Sequence, residues 1–190
     1  MQLLWEIDYA VSTFLHASYG ALPVWDALVY FCAEYAQYAI GAYFFYFVIT
    51  SARNRADQLL MFASTISAII LARLVVVEVI RLWWDRARPF ELLQYTPPFP
   101  EISASFPSGH ATFFFALAMM VYLHDRTHAW IFIISAICIS IARVIAGVHF
   151  PSDITAGAII GCSVSLGVYY YIEPFIRSRV LVQKRATDIL

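Results

Sequence analysis

Charged residues are scarce in this chain: Asp, Glu, Lys and Arg make up 13% of its 190 residues, whereas hydrophobic residues make up 62%. A soluble domain carries about twice that charged fraction, so the composition excludes an ordinary soluble protein. Cysteine is rare as well, and Cys32, Cys138 and Cys162 all lie in apolar stretches without the spacing of metal ligands. We therefore expect free thiols rather than a disulfide or a cysteine-bound metal.

Long stretches without charge indicate a membrane protein instead. Residues 154–172 contain no charged side chain, and residues 59–80 contain only Arg73 and Glu78. About 20 apolar residues are needed to cross the roughly 30 Å hydrocarbon layer as a helix. The sequence predicts an all-α polytopic membrane bundle that forms a single domain over residues 1–190. Its five spans are expected at residues 24–50, 58–84, 108–123, 128–148 and 153–176.

Residues 3–17 have a different pattern from the predicted spans. Leu4, Ile7, Val11, Phe14 and Leu15 recur at helical spacing, and Glu6, Asp8, Ser12 and His16 lie elsewhere on the helical wheel. This pattern predicts an N-terminal amphipathic helix that lies in the membrane interface.

Basic residues set the expected orientation, because Lys and Arg favour the cytoplasmic side of a membrane. With five spans, one side receives Arg53, Arg55, Arg126, Arg177, Arg179, Lys184 and Arg185. The opposite, outer side receives the N-terminus, residues 85–107 and the turn around His149. Three arginines, at positions 81, 86 and 88, are exceptions on that outer side. Chemistry at the outer face would explain them.

Three short segments at the predicted outer helix ends carry groups suited to phosphate chemistry. They are residues 81–89 (Arg-Leu-Trp-Trp-Asp-Arg-Ala-Arg-Pro), 107–110 (Pro-Ser-Gly-His) and 143–153 (Arg-Val-Ile-Ala-Gly-Val-His-Phe-Pro-Ser-Asp). A phosphoryl group in transfer spreads negative charge over its oxygens, and the planar fork of arginine binds such oxygens in bidentate fashion. Arg81, Arg88 and Arg143 are therefore candidate phosphate ligands, and with three arginines the site needs no metal ion.

The second and third segments supply candidate reacting groups. Ser108 and Gly109 precede a long apolar helix, where serine caps the helix and the exposed amides favour an anion. His110 lies in the first turn, where it can protonate a leaving oxygen. Asp153 follows His149 by four residues and can hold one ring nitrogen, which leaves the other free to attack phosphorus. Each segment alone has an ordinary structural explanation, and only their combination predicts a phosphatase.

The three segments resemble the signature of the type 2 phosphatidic acid phosphatase superfamily, which reads Lys-x6-Arg-Pro, Pro-Ser-Gly-His and Ser-Arg-x5-His-x3-Asp. The resemblance implies that His149 is the nucleophile of a phosphohistidine intermediate, that Asp153 orients it and that His110 is the general acid. The implied phosphate ligands are Arg81, Arg88, Ser108, Gly109 and Arg143. Arg81 stands in place of the family lysine and Ala142 in place of the family serine, and neither change removes a reacting group.

Within that superfamily, the length, the amphipathic start and the segment Glu34-Tyr35-Ala36 are similar to the bacitracin-resistance type of undecaprenyl-diphosphate phosphatase. That resemblance implies a metal-independent enzyme of the bacterial inner membrane, with its site facing the periplasm or exterior. It would remove the terminal phosphate from the polyprenyl carrier of peptidoglycan synthesis. Its partners would be this lipid substrate and the surrounding membrane lipids, and no cofactor, metal or nucleic acid is expected.

Two alternatives to this function stay open on the sequence. One is a phosphatase for phosphatidylglycerol phosphate, phosphatidic acid or lipid A that uses the same site. The other is a lipid or drug transporter, in which His149 and Asp153 would have no task.

Three charged residues are expected inside the bilayer, where such residues are candidates for function. Glu34 and Arg73 would both lie roughly 15 Å from the outer ends of their spans, at about 1.5 Å per residue. We expect these two side chains to pair across the first two spans. Glu78 is expected to contact Arg81, three residues further along the same helix.

Overall fold

Helices form the framework of the protein. A computed structural model describes residues 2–51 and 54–187, and these residues contain no strand. The helices are α1 (Gln2–His16), α2 (residues 23–51), α3 (Arg55–Trp83), α4 (Pro89–Leu93), α5 (Gly109–His124), α6 (Arg126–Ile145) and α7 (residues 151–187). The prediction of an all-α bundle is confirmed. Arg53 lies outside the described residues, as do the side chains of Lys184 and Arg185.

Three of the five predicted spans are long and apolar enough to cross a membrane: Arg55–Trp83, Arg126–Ile145 and Pro151–Val180. Helix α5 is equally apolar but has only 16 residues. Helix α2 carries Glu34, Gln37 and several tyrosines within its apolar sequence. The membrane character of the bundle is thus established by α3, α6 and α7, and the spanning roles of α2 and α5 stay predictions.

The observed helix ends lie within three residues of the predicted ones, apart from the end of α7. Helix α6 ends at Ile145 instead of 148 because Gly147, with a φ of +74°, turns the chain into the left-handed region. Glycine adopts that region at little cost and commonly ends a helix. Helix α7 continues to Thr187 rather than ending at 176, since no glycine or proline follows Pro174.

Helix α1 presents apolar side chains outward and buries two polar residues against the bundle. Leu4 and Phe14 are exposed, whereas Asp8 and Ser12 are buried. The backbone N–H of Ser152, at the start of α7, donates a hydrogen bond of 2.9 Å to Asp8. An outward apolar stripe suits a helix that lies in the membrane interface, as the sequence predicts.

Three of the long helices contain a widened, π-helical segment. These segments are Phe31–Tyr35 in α2, Ile70–Val76 in α3 and Val168–Ile172 in α7. Segments of this kind are frequent at functional sites. Glu34 lies in the first and Arg73 in the second, so two of the three charges expected inside the bilayer occupy irregular helix.

The predicted pair of Glu34 and Arg73 is wrong. Nη1 of Arg73 lies 2.5 Å from Oε1 of Glu78, and this is the one ion pair of Arg73 within residues 2–51 and 54–187. Glu78 is on the same helix as Arg73, so its carboxylate reaches the guanidinium without a contact between two helices. Glu78 is therefore the partner of Arg73 in place of Glu34. Glu78 also lies 3.5 Å from Nη1 of Arg81, as expected.

Helices α5 and α7 pack at backbone contact distance through small residues. A Cβ added to Gly157 would lie 2.7 Å from the carbonyl oxygen of Ser108, and one added to Gly161 would lie 2.5 Å from that of Thr112. Glycines four residues apart permit such an approach between membrane helices. The backbone N–H of Ser108 donates to the carbonyl oxygen of Asp153 at 3.1 Å, so this packing fixes the two helix starts against each other.

Gly161→Ala is expected to lower the thermal stability of the protein. The new Cβ would collide with the carbonyl oxygen of Thr112 and lie 2.8 Å from the backbone nitrogen of Ala116. Overpacking of this kind costs about 1–3 kcal/mol. Thermal unfolding of the detergent-purified protein measures the effect. Gly167→Ala is the matched control, because a Cβ there meets nothing within 4 Å. Equal unfolding temperatures for the two variants would contradict the close packing.

Candidate active site

The three predicted segments meet at one end of the bundle. Nη2 of Arg81, near the end of α3, donates to the carbonyl oxygen of Pro107 at 3.1 Å. Nη1 of Arg88 donates to the carbonyl oxygen of Val148 at 2.7 Å. With the hydrogen bond from Ser108 to the start of α7, these contacts join all three segments. The ends of α3 and α6 therefore lie beside the starts of α5 and α7.

Arg88 is not on the helix that carries Arg81. Helix α3 ends at Trp83, and Arg88 precedes Pro89 as the N-cap of the short helix α4. A residue before proline resists the helical region, which explains why α3 does not continue. Nε of Arg88 donates to the carbonyl oxygen of Ser103 at 2.8 Å, so the guanidinium is fixed by the loop before α5.

Arg88 and Arg143 are both buried and both bind the same carboxylate. Arg88 is 2% exposed and Arg143 is 0% exposed. Nη2 of Arg88 lies 3.1 Å from one carboxylate oxygen of Glu101, and Nη2 of Arg143 donates to the other. Although burial opposes ionisation, Arg143 and Arg88 hold the pKa of Glu101 below its ordinary value. The carboxylate of Glu101 thus bridges the guanidinium groups of Arg88 and Arg143, so this geometry allows both arginines to bind a single phosphate.

His110 lies beside Arg143 at the start of α5. Its Nε2 is 3.5 Å from Nη1 of Arg143, and the same guanidinium nitrogen donates to the carbonyl oxygen of Ala33 at 3.1 Å. Ser108 caps α5, since its hydroxyl oxygen accepts from the N–H of Ala111 at 3.4 Å. The predicted proton donor and one of the predicted phosphate ligands therefore lie side by side.

His149 and Asp153 face each other but do not form a hydrogen bond in this structure. Nδ1 of His149 lies 3.6 Å from Oδ2 of Asp153, and the two residues are 1% and 0% exposed. Catalytic hydrogen bonds are often long without substrate and tighten when it binds. Burial lowers the pKa of His149 to about 4 and outweighs the raising effect of Asp153. The ring is therefore neutral near pH 7, as a nucleophile requires.

Asp153 is held by three donors that leave it little freedom to turn. Its Oδ2 accepts from the hydroxyl of Ser105 at 2.5 Å and from the N–H of Phe150 at 2.8 Å. Its Oδ1 accepts from Nη1 of Arg86 at 2.6 Å. A carboxylate fixed in this way can set the orientation of a facing imidazole.

Several residues of this network were not predicted as site residues from the sequence. Arg86 connects the carboxylate of Asp153 to that of Asp8, which lies 2.8 Å from its Nη2. Its one signal in the sequence is its place on the outer side, against the usual distribution of basic residues. Glu101, Ser105 and Asp8 gave no signal, because their roles depend on contacts distant along the chain. In the described part of the chain, no group of three or more His, Cys, Asp or Glu is placed to hold a metal ion.

Buried arginines around a histidine and an aspartate, at the ends of membrane helices, define an integral membrane phosphatase. The sequence matches the PAP2 superfamily over residues 59–177, and the chain belongs to that family. The bacitracin transport permease protein BcrC of Bacillus licheniformis is 30% identical to it over 149 residues, which cover 76% of this chain and 70% of that protein. The undecaprenyl-diphosphatase of Sulfolobus acidocaldarius is 28% identical over 164 residues, or 84% of this chain and 77% of that protein. The crystal structure of Aquifex aeolicus LpxE superimposes with a TM-score of 0.65 and 26% identity, covering 85% of this chain and 94% of that one.

Proposed function

We propose that this chain hydrolyses the terminal phosphate of undecaprenyl diphosphate at the outer face of the membrane. The observation that carries the chemistry is the convergence of Arg88 and Arg143 on one anion, in the cluster that contains His110. The polyprenyl substrate is supported by the relative named as an undecaprenyl-diphosphatase, which aligns with 84% of the chain.

The proposed cycle uses the chain's own side chains. Arg88, Arg143 and the amides at the start of α5 hold the terminal phosphate and stabilise the charge on its oxygens. Nε2 of His149 forms a bond to phosphorus while the bond to the bridging oxygen breaks, and His110 donates a proton to that oxygen. The lipid monophosphate then leaves. His110 next takes a proton from water, whose oxygen attacks phosphorus, and the N–P bond breaks to release inorganic phosphate.

The outer location of the site is supported by the basic residues at the other end of the bundle. Arg55 lies at the start of α3 and Arg126 at the start of α6, and the site lies where these two helices end. Since Lys and Arg favour the cytoplasmic side, the site end would face outward. Trp83 and Trp84, which are 88% and 55% exposed, lie at the site end, where the outer interface would be.

Phosphate release from several lipids tests the substrate. The detergent-purified protein, with EDTA present, is expected to release phosphate faster from undecaprenyl diphosphate than from phosphatidic acid or phosphatidylglycerol phosphate. Measurement of kcat/KM for each lipid gives the comparison. Release from the glycerolipids alone would keep the chemistry and overturn the proposed substrate.

A transport function is the second candidate, because one relative is named as a bacitracin transport permease. Transport would not require His149 as a nucleophile. Bacitracin resistance of cells that express a variant without His149 distinguishes the two functions. Resistance would favour transport, whereas loss of resistance would favour hydrolysis.

A further inference from the structure

A cleft beside His110 contains a charged residue that the proposed cycle does not use. The cleft has a volume of about 310 Å³. Its lining includes the polar residues Gln37, Arg73 and His110 and the aromatic residues Tyr38, Phe113 and Phe114. A charge and an aromatic wall in one cleft suit a ligand that carries both an anionic group and an apolar chain.

Arg73 lies directly against the start of α5. A Cβ added to Gly109 would lie 2.4 Å from Nε of Arg73 and 2.8 Å from its Cζ, so the guanidinium occupies space that only glycine leaves open. The side chain of Arg73 is 28% exposed and pairs through Nη1 with Glu78. Its Nη2 makes no hydrogen bond with any side chain or backbone group of the described residues. This nitrogen is therefore available to a ligand in the cleft.

We propose that Arg73 forms a second phosphate subsite, which binds the retained phosphate of a lipid diphosphate. This inference rests on the proposed function, because it takes His110 as the acid beside the leaving oxygen. Arg73 and His110 line the same cleft, whereas Arg88 and Arg143 converge on Glu101. The terminal phosphate would thus be held by one pair of arginines and the phosphate that leaves with the lipid by Arg73.

The chemistry of the leaving group explains why such a subsite would favour diphosphates. When the bond to the bridging oxygen breaks, negative charge increases on the lipid phosphate that leaves, and a nearby guanidinium stabilises it. A phosphate monoester instead releases an alcohol, which offers Arg73 no anion. The pair with Glu78 does not prevent this role, because it engages Nη1 of the guanidinium and leaves Nη2 for an anion.

The aromatic wall of the cleft suits the chain next to the diphosphate. Tyr38 of α2 and Phe113 and Phe114 of α5 line the cleft beyond Arg73 and His110. Aromatic side chains supply large apolar contact areas, which fit the first isoprenoid units of a polyprenyl lipid. The π-helical segment Ile70–Val76 carries Arg73, and segments of this type are frequent at functional sites.

Arg73→Gln tests the subsite through a ratio of activities. Loss of a charged hydrogen-bonding partner is expected to lower kcat/KM for undecaprenyl diphosphate, relative to that for phosphatidic acid, by about 30-fold. Arg73→Lys keeps the charge but lacks the planar guanidinium, so its ratio of kcat/KM for the two lipids is expected to lie between those of the wild type and Arg73→Gln. Arg126→Gln is the matched control, since Arg126 is exposed at the opposite end of the bundle. An equal loss on both lipids, or no loss on either, would overturn the subsite.

Binding of inorganic anions tests the same subsite without turnover. The wild-type protein is expected to bind pyrophosphate about tenfold more tightly than phosphate, and Arg73→Gln is expected to lose that preference. Calorimetric titration of the full chain in detergent measures both anions, and an unchanged unfolding temperature shows that the variant is folded. If the wild type fails to hydrolyse undecaprenyl diphosphate, the proposed substrate is wrong. The subsite is wrong if the preference for pyrophosphate is absent from the wild type or persists in Arg73→Gln.

Discussion

His149→Ala is expected to reduce phosphate release by at least about 1,000-fold, because without the nucleophile only binding and electrostatic assistance remain. The phosphorylated intermediate should disappear with it. A substrate labelled in its terminal phosphate, mixed with the protein and quenched rapidly in alkali, should leave label on the wild-type chain. The same quench should leave none on His149→Ala.

His128→Ala is the matched control for this experiment. His128 lies in the first turn of α6, at the end of the bundle away from the site, with a side chain that is 43% exposed. Its replacement is expected to leave both the label and the rate at wild-type levels. If His149→Ala released phosphate as fast as His128→Ala, the phosphohistidine mechanism would be wrong.

Arg143→Ala is expected to lower kcat/KM by about 100- to 1,000-fold, the usual cost of removing one donor from a developing oxyanion. Arg143 is 0% exposed and binds Glu101 and the carbonyl oxygen of Ala33, so its loss leaves that carbonyl without its partner and Glu101 with Arg88 alone. Breaking a buried ion pair destabilises a protein by about 3–5 kcal/mol. Phosphate-release kinetics and thermal unfolding in detergent measure the two effects separately.

Two further variants separate the charge of Arg143 from its geometry. Arg143→Lys is expected to recover part of the stability but little of the activity, because an ammonium group cannot bind two oxygens with a planar fork. Arg126→Ala, at an exposed arginine of the same helix, should match the wild type in both measurements. Full activity in Arg143→Lys would contradict a bidentate role for this arginine.

Contacts that are local in the sequence could be predicted from it. Glu78 and Arg81 are three residues apart on a helix, and they lie 3.5 Å from each other as expected. The cap of Ser108 on α5 and the facing of His149 and Asp153 across four residues are of the same kind. The first contact follows from the helical rise and turn. The other two form at helix starts, where a residue just before the helix meets a group three or four positions further on.

Contacts between distant parts of the chain could not be predicted in this way. Only the depth of Glu34 and Arg73 in the membrane follows from the rise per residue. The rotation of each helix about its axis does not follow from it, and both residues lie in π-helical segments that alter this rotation. The observed partner of Arg73 is therefore Glu78.

The sequence by itself determined that the protein is a helical membrane protein, because the scarcity of charge and the length of the apolar runs leave no soluble alternative. It also predicted the residues of a candidate phosphatase site, since three short segments carry them, and the structure brings these segments together. Only the tertiary structure decided that Glu101 bridges Arg88 and Arg143 and that Arg86 connects Asp153 to the N-terminal helix. Arg86 and Asp8 are 78 positions apart, and Glu101 and Arg143 are 42 apart. Such pairs form only when packed helices and the loop before α5 bring them together, and no local spacing encodes that approach.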